Sequence, residues 1–279
     1  MMEILQYGFM QRALLAGVLV SITCGVIGTY VVVRRMVFIS GGISHSAFGG
    51  IGLGYLLSID PVLGAMVFAV ASALGIGAIT RRTRLAEDTA IGILWAVGMS
   101  LGVIFIGLSP GFAPDLFGYL FGNILAVSSS DLIMMGALTA VILLVVSLLF
   151  KELLALSFDE EFARVSGIQT GLVYFALIVL IALSVVVLIR AVGIILLIAL
   201  LTIPAAISRQ FVSSLSRMMV LSTVLGVIFV VCGLLLSYVL DLASGATIIL
   251  FSGAAFLVLI GVSRWRPKRL FGKAAQRGG

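Results

Sequence analysis

Long apolar segments alternate with short polar stretches along the whole chain. A helix needs about 20 consecutive apolar residues to cross the hydrocarbon core of a bilayer, and eight or nine segments come near that length. One of them is residues 38–55, and the others cover about residues 9–33, 62–80, 87–108, 132–150, 171–189, 192–206, 218–240 and 246–262. This pattern predicts an all-α polytopic integral membrane protein with eight or nine transmembrane helices.

Composition supports this fold class and leaves no room for a sizeable soluble domain. Hydrophobic residues make up 62% of the 279 residues and charged residues 10%, and the mean hydropathy is +1.32. We therefore expect one transmembrane domain at residues 1–265, followed by a basic cytoplasmic tail at 266–279. Cys24 and Cys232 lie in apolar segments and are expected to be packed core residues, and no cleaved signal peptide is expected.

The positive charges predict how the chain is oriented. The net charge is +6, and the basic residues cluster at segment ends, which is typical of the positive-inside rule and not of a nucleic-acid surface. Nine spans with an external N-terminus place the main clusters in the cytoplasm, namely residues 34–35, 81–84, 151–164, 209–217 and the tail. We expect a multi-pass protein of the cytoplasmic membrane.

The segment FISGGISHSAFGGIGLGY, residues 38–55, differs from the other spans because it is rich in small residues. On a helix, one face carries a small residue at every fourth position: Gly42, Ser46, Gly50 and Gly54. Such a stripe lets a neighbouring helix approach at backbone distance, as helices do in lipid. The adjacent row places His45, the only histidine of the chain, between Gly41 and Gly49.

His45 admits two interpretations from the residues alone. It is either an interior histidine that hydrogen-bonds to a neighbouring helix, or a ligand for a cation that crosses the membrane, since neutral imidazole often binds metals. A titratable group within a span is costly and usually marks a pathway or a polar partner. One histidine cannot close a metal site, so other helices or water would have to complete it.

The apolar pattern breaks between residues 109 and 130, SPGFAPDLFGYLFGNILAVSSS. The apolar piece at 116–127 is too short to span, and prolines and glycines surround it. Irregular backbone at membrane depth survives only where protein or a water-filled cavity covers it. We expect a re-entrant or interfacial segment that lines a cavity.

Five motifs occur in the order of a known family: RRMVFISGGISHSAFGG, EDTAIGILWAVGMSLGV, LFGYLFGNILAVSSSDL, SFDEEFARVSGI and VGIILLIALLTIPAAISRQF. Over residues 10–262 the chain resembles the membrane permease of bacterial and archaeal ABC importers for zinc, manganese and iron. The resemblance implies a homodimer, two cytoplasmic ATPase subunits, an external metal-binding protein and a divalent metal cation as substrate, with no permanently bound cofactor. The chain has no phosphate-cradling glycine loop and no catalytic triad, so we expect a permease that is not itself an enzyme.

The second span departs from the motif of that family at one position. The family pattern is Asp-x-x-x-His, and His45 matches the histidine whereas Gly41 stands in place of the aspartate. A carboxylate beside an imidazole suits zinc or manganese, so its loss leaves the identity of the metal open. Four other residues are candidates to supply oxygen ligands: Ser40, Ser44, Asn123 and Asp115.

The polar segment at about 151–170 is a solvated cytoplasmic loop if it is judged by its residues alone. The resemblance implies instead a short coupling helix that docks into a groove on the ATPase. The residues assigned to that contact are Glu160, Glu161, Phe162, Ala163 and Gly167. Phe162 would be the buried anchor, and Gly167 would permit the turn after the helix.

Two other functions are considered. A permease for a metal chelate or another small solute is the closer alternative, because the aspartate is missing. An ion-coupled secondary transporter or channel would need no ATPase, but that class usually shows inverted repeats or several intramembrane carboxylates. An ATPase and a histidine-rich binding protein encoded by neighbouring genes would discriminate between these functions.

Overall fold

The computed structural model describes residues 6–110, 118 and 122–265, so that the predicted ligand Asp115 and the basic tail at 266–279 lie outside the described residues. Within the described residues the chain forms ten α-helices and no strand. They are α1 (Gly8–Val33), α2 (Val37–Leu56), α3 (Pro61–Arg82), α4 (Glu87–Leu108), α5 (Ser129–Leu148), α6 (Phe150–Phe158), α7 (Glu160–Val165), α8 (Thr170–Phe211), α9 (Leu215–Leu240) and α10 (Ser244–Trp265). A 3₁₀ turn, Ile124–Ala126, precedes α5.

Eight helical segments of the described chain are long and apolar enough to cross a membrane. They are α1, α3, α4, α5, α9, α10 and the two parts of α8, Thr170–Ile189 and Ala191–Phe211. The remaining long helix, α2, is not among these segments, and it carries six glycines, three serines and His45. It packs against α3, α4 and α8, and most of its residues are buried. The prediction of an all-α membrane protein with eight or nine spans is confirmed.

The small-residue stripe of α2 lies against two neighbouring helices at backbone distance. A Cβ atom added to Gly50 would lie 2.0 Å from the carbonyl oxygen of Gly64 on α3. A Cβ added to Gly98 on α4 would lie 2.5 Å from the Cα of Ser46. The Ser46 hydroxyl also donates a hydrogen bond to the carbonyl of Leu94, at 2.9 Å. These contacts leave no space for lipid between α2 and its two neighbours.

A second small-residue stripe, which the sequence analysis missed, joins α1 to α9. A Cβ added to Gly25 would lie 2.2 Å from the Thr223 hydroxyl, and one added to Gly226 would lie 3.1 Å from the Cβ of Ser21. Gly17, Ser21 and Gly25 recur at every fourth position, as the residues of the α2 stripe do. The four-residue spacing of small residues was therefore present in the sequence of α1, although the segment is otherwise uniformly apolar.

Helix α8 reverses direction near its middle. A straight helix of its 42 residues would measure about 63 Å. Its two ends nevertheless lie at the same end of the bundle, because Arg209 donates to the Val32 carbonyl at the end of α1 and Gly171 lies beside the Arg81 guanidinium at the end of α3. The change of direction occurs at Gly193, whose φ of 72° and ψ of 171° are not helical. The predicted pair of spans on either side of residue 190 is thus present as two parts of α8.

The described part of the interrupted segment, residues 122–127, packs inside the protein at the opposite end of the bundle. A Cβ added to Gly122 would lie 2.1 Å from the carbonyl carbon of Val192, so this residue covers the turn of α8. The Val127 carbonyl accepts a hydrogen bond of 3.2 Å from Arg12 of α1. Ile124 reaches Gly17, which lies about 14 Å along α1 from its first residue. Ile124 and Val127 are thus buried, whereas Asn123 and Ala126 are exposed. The expectation of a segment that lines a cavity stays a prediction.

The backbone contact between α2 and α3 generates a stability prediction. Gly50→Ala places a methyl group against the Gly64 carbonyl, and overpacking of this kind costs about 1–3 kcal/mol. We expect a lower melting temperature for the detergent-purified chain, although alanine is the better helix former. The control is Gly107→Ala on α4, where an added Cβ meets nothing within 4 Å. Equal melting temperatures for the two variants would show that this contact is not close.

Candidate functional sites

His45 lies near the middle of α2 and is the one residue between Ile39 and Ile51 that is only half-buried. Its imidazole stacks on the indole ring of Trp95 of α4, with ring centroids 4.0 Å apart and ring planes inclined by 8°. The stack covers one face of the imidazole and leaves the ring edges, which carry both nitrogens, outside it. Nδ1 is shielded from solvent and has no hydrogen-bond partner. A ring nitrogen is therefore not committed to another protein group.

The two glycines that flank His45 differ in the space they leave. A Cβ at Gly49 would lie 2.7 Å from the Gly98 carbonyl and 2.8 Å from the ring of Phe68, so this side is filled. A Cβ at Gly41 would meet only the Ile198 side chain, at an ordinary 3.8 Å. Space beside the imidazole is therefore present on the Gly41 side alone.

Three of the four oxygen donors predicted to help His45 lie in the described residues, and they differ in exposure. Ser40 and Ser44 are fully buried, and each hydroxyl donates a 2.7 Å hydrogen bond within α2, to the carbonyls of Val37 and Ser40. Their protons are thereby used, although each oxygen keeps a lone pair for a cation. Asn123 is exposed and follows Gly122 at the turn of α8.

No closed metal centre is found in the part of the chain that the structure describes. No group of three or more His, Cys, Asp or Glu side chains is placed there to hold an ion. A cation at His45 would receive one nitrogen ligand from α2, and water or neutral oxygens would complete its shell. This arrangement suits transient contact better than tight storage.

Trp95 is a residue of this site that the sequence analysis missed. Its indole N–H donates to the sulfur of Met99, at 3.2 Å, one helical turn further along α4. The motif that contains Trp95 was recognised, but the residue was not singled out. Only the relative position of α2 and α4 brings the two rings together.

The second candidate site is the segment between α5 and α8, where the predicted loop forms two short helices, α6 and α7. The Asp159 carboxylate caps α7 by accepting a hydrogen bond from the Phe162 amide, at 2.9 Å. Gly167 follows α7 with a φ of 85°, a conformation that favours glycine. Ala163 faces inward and is fully buried.

An apolar surface stands exposed on and beside α7. Phe162 is 65% exposed, Val165 88% and Phe158 65%. Large apolar side chains that are exposed together commonly mark a surface that binds another protein. Glu161 is exposed beside them. The contact with an ATPase that the sequence analysis assigned to this segment stays a prediction.

Glu160 is oriented toward the membrane helices, whereas the sequence analysis assigned it to the ATPase contact. Its carboxylate forms one ion pair with Arg34 after α1, at 3.1 Å, and another with Arg81 in the last turn of α3, at 3.0 Å. The Arg81 guanidinium also lies over the Tyr174 ring of α8, 4.5 Å from its centroid. Glu160 therefore ties α7 to the ends of α1 and α3, and Arg81 extends this cluster to α8.

A polar cavity of about 430 Å³ lies beside this cluster. Its lining includes Glu87 at the start of α4 and Arg164 of α7, in addition to the residues of the two ion pairs. The two ion pairs and the buried Ala163 attach α7 to the bundle, and the cavity lies beside this attachment. Such an attachment can shift without disturbing a packed core.

Comparison with known proteins gives consistent matches over nearly the whole chain. Residues 6–263 match the ABC 3 transport family. The chain is 45% identical over 264 residues to the uncharacterized membrane protein slr2045 of Synechocystis sp., with 95% of this chain and 94% of that protein covered. It is 37% identical over 255 residues to the manganese transport system membrane protein MntC of Listeria monocytogenes, with 91% of each chain covered. The solved structure of PsaBC from Streptococcus pneumoniae in complex with Fab matches with a TM-score of 0.84 and 36% identity, over 93% of this chain and 94% of that one.

The orientation of Glu160 generates a prediction about local stability. Glu160→Gln removes the charge from both ion pairs, and two partly exposed pairs together contribute about 0.4–2 kcal/mol. We expect amide hydrogen exchange in α7 to become about two- to thirty-fold faster. Glu161→Gln, an exposed neighbour on the same helix, is the control and should leave exchange unchanged. If both variants behave alike, the ion pairs do not hold α7.

Proposed function

The chain belongs to the ABC 3 transport family, and from this premise we propose that it is the membrane permease of an ATP-driven importer for a divalent metal cation, with manganese as the best-supported substrate. It is a multi-pass protein of the cell membrane, which agrees with its helical spans. The resemblance to metal importer permeases drawn from the sequence motifs is confirmed by the family match. The observation that carries the metal assignment is the half-buried His45 within a membrane helix, with an uncommitted ring nitrogen.

Manganese is favoured by the comparisons, since the Listeria relative is named for manganese transport. Zinc is the second candidate, because the one strong donor at the site is an imidazole nitrogen, which suits zinc. With Gly41 next to the imidazole, a cation meets no carboxylate from that turn of α2. It would keep most of its water ligands while His45 replaces one of them, so that binding is weak and release is fast, as conduction requires.

Partners are proposed from the same features. The exposed apolar surface of α7 would dock into an ATPase subunit in the cytoplasm, two of which would serve a dimer of this chain. An external metal-binding protein would deliver the cation. The fourth helix, whose outward side chains Ile93, Val97, Val103 and Ile104 are exposed, offers apolar surface that a second copy could cover.

A physical path links the proposed ATPase contact to His45. A displacement of α7 would act on α1 through Arg34 and on α3 through Arg81, because Glu160 pairs with both. Helix α3 touches α2 backbone to backbone at Gly64 and Gly50. A displacement of α3 would therefore be transmitted to α2, the helix that carries His45, with little reduction in its amplitude. Ion-coupled secondary transport is not proposed, since the chain belongs to an ABC transport family.

The metal assignment is tested with two variants of the second helix. His45→Ala should lower the uptake of Mn²⁺ in cells, while the chain still inserts and assembles. Gly41→Asp restores a carboxylate one turn from the imidazole, at a position with room for a side chain. We expect it to raise the metal retained per dimer after washing with a chelator by about 10-fold, the scale of effect seen even for outer-shell partners.

Gly107→Asp is the control for this experiment, since it adds a carboxylate where an added Cβ meets nothing within 4 Å. Metal content is measured for both Mn²⁺ and Zn²⁺, so that the two candidate substrates are compared directly. If wild type, His45→Ala and Gly41→Asp all retain the same amount, the metal site lies elsewhere.

The ATPase contact is tested at the exposed aromatic of α7. Phe162→Asp places a charge at the centre of the proposed interface, and loss of an anchoring aromatic costs about 2 kcal/mol or more. We expect the ATPase to be lost during copurification while the permease remains inserted. Phe162→Leu keeps an apolar side chain and should retain the partner. A complex that survives Phe162→Asp intact would refute the assignment.

A further inference from the structure

We propose that Trp95 is a positioning residue for the transported cation, because its indole holds the His45 imidazole in one plane by covering a face of the ring and not an edge. This inference rests on the proposed function of His45 as a transient ligand. Nothing in the sequence motifs or in the names of the relatives assigns a role to this tryptophan.

The geometry explains why a stacked indole can orient a ligand without blocking it. A metal binds imidazole in the plane of the ring, along the lone pair of a nitrogen. The two rings are nearly parallel at 8° and their centroids are 4.0 Å apart, so Trp95 covers a face and not an edge. Rotation of the imidazole out of its present plane would break this contact and push the ring edge into the indole.

A metal-binding histidine is usually oriented by a hydrogen bond from its second nitrogen to a carboxylate or a carbonyl. Nδ1 of His45 is buried and has no such partner. Gly41, where the related motif has aspartate, provides no carboxylate either. The stack therefore performs the orienting role that a hydrogen bond performs in most metal sites.

Two sets of contacts fix the position of Trp95: a hydrogen bond of its indole and the packing of α4 against α2. Its N–H donates to the Met99 sulfur, at 3.2 Å, which fixes the rotation of the indole. The residues next to the two rings, Ser46 and Leu94, are joined by a hydrogen bond of 2.9 Å that sets α2 against α4. Gly98 lies against Ser46 one turn later. The stack is thus part of a close contact between these helices.

Because of the stack, the fluorescence of Trp95 can be used to detect the binding of a cation at His45. The chain contains two tryptophans, Trp95 and Trp265, so that Trp265→Phe leaves a single indole beside the imidazole. Mn²⁺ is paramagnetic and quenches a fluorophore that lies close to it. Binding of this ion to His45 should therefore quench the emission of Trp95.

The first measurement uses the full-length permease with Trp265→Phe in lipid nanodiscs, titrated with Mn²⁺. We expect saturable quenching of the Trp95 emission, and its loss when His45→Ala is added. Quenching that is absent, or that persists without His45, would overturn the inference. Mg²⁺ serves as the diamagnetic control for nonspecific effects of a divalent cation.

The second measurement is Mn²⁺ uptake by the assembled importer with Trp95→Leu and Trp95→Phe. Loss of a partner that orients a metal-binding histidine costs about 10–100-fold in affinity, so we expect Trp95→Leu to raise the KM by at least about 10-fold with a smaller change in maximal rate. Phenylalanine still stacks and should restore most of the affinity. Met99→Leu, which removes the N–H acceptor, should fall between the two.

The outcomes separate this inference from the function on which it rests. If the wild-type importer takes up no Mn²⁺, the proposed function fails. If uptake depends on His45 but Trp95→Leu transports with the wild-type KM, the function stands and the role of Trp95 is wrong. If Trp95→Leu does not assemble, Met99→Leu decides, because it loosens the indole while both rings remain, and a wild-type KM for this variant would overturn the role of Trp95.

Discussion

The structure depends on covering the polar side chains of α2 with protein, because lipid cannot solvate them. Helix α2 carries a histidine and three serines among six glycines, and polar side chains at membrane depth are costly unless protein covers them. Glycine makes the enclosure possible, because Gly50 and Gly64 let α2 and α3 touch through their backbones. Neighbouring helices then exclude lipid, and His45 meets an indole in place of acyl chains.

The same close contacts make α2 responsive to events outside the membrane. Packed helices transmit displacement because their interiors are nearly incompressible. The ion pairs of Glu160 with Arg34 and Arg81 are a different kind of contact, partly exposed and adjacent to a cavity. The chain therefore combines rigid packing of α2 around His45 with an adjustable attachment of α7 to the ends of α1 and α3. This arrangement suits a protein whose site must change accessibility while its fold stays intact.

Local patterns predicted most of the fold, since a span is a property of consecutive residues. The sequence indicated the spans, the small-residue stripe of α2 and the apolar residues around Phe162. The stacking of Trp95 on His45 was not, because it depends on the register between two helices far apart in sequence. The inward turn of Glu160 was missed for the same reason, since its partners Arg34 and Arg81 belong to other helices.

The absence of a carboxylate at Gly41 has a consequence for selectivity. A site with one imidazole and several waters does not favour manganese, because affinity for a nitrogen ligand rises from manganese to zinc. A permease for manganese built on such a site could not reject zinc by affinity. Selection would then have to occur before the cation reaches His45, at the protein that delivers it. The permease would contribute orientation and fast release, for which one well-positioned nitrogen is sufficient.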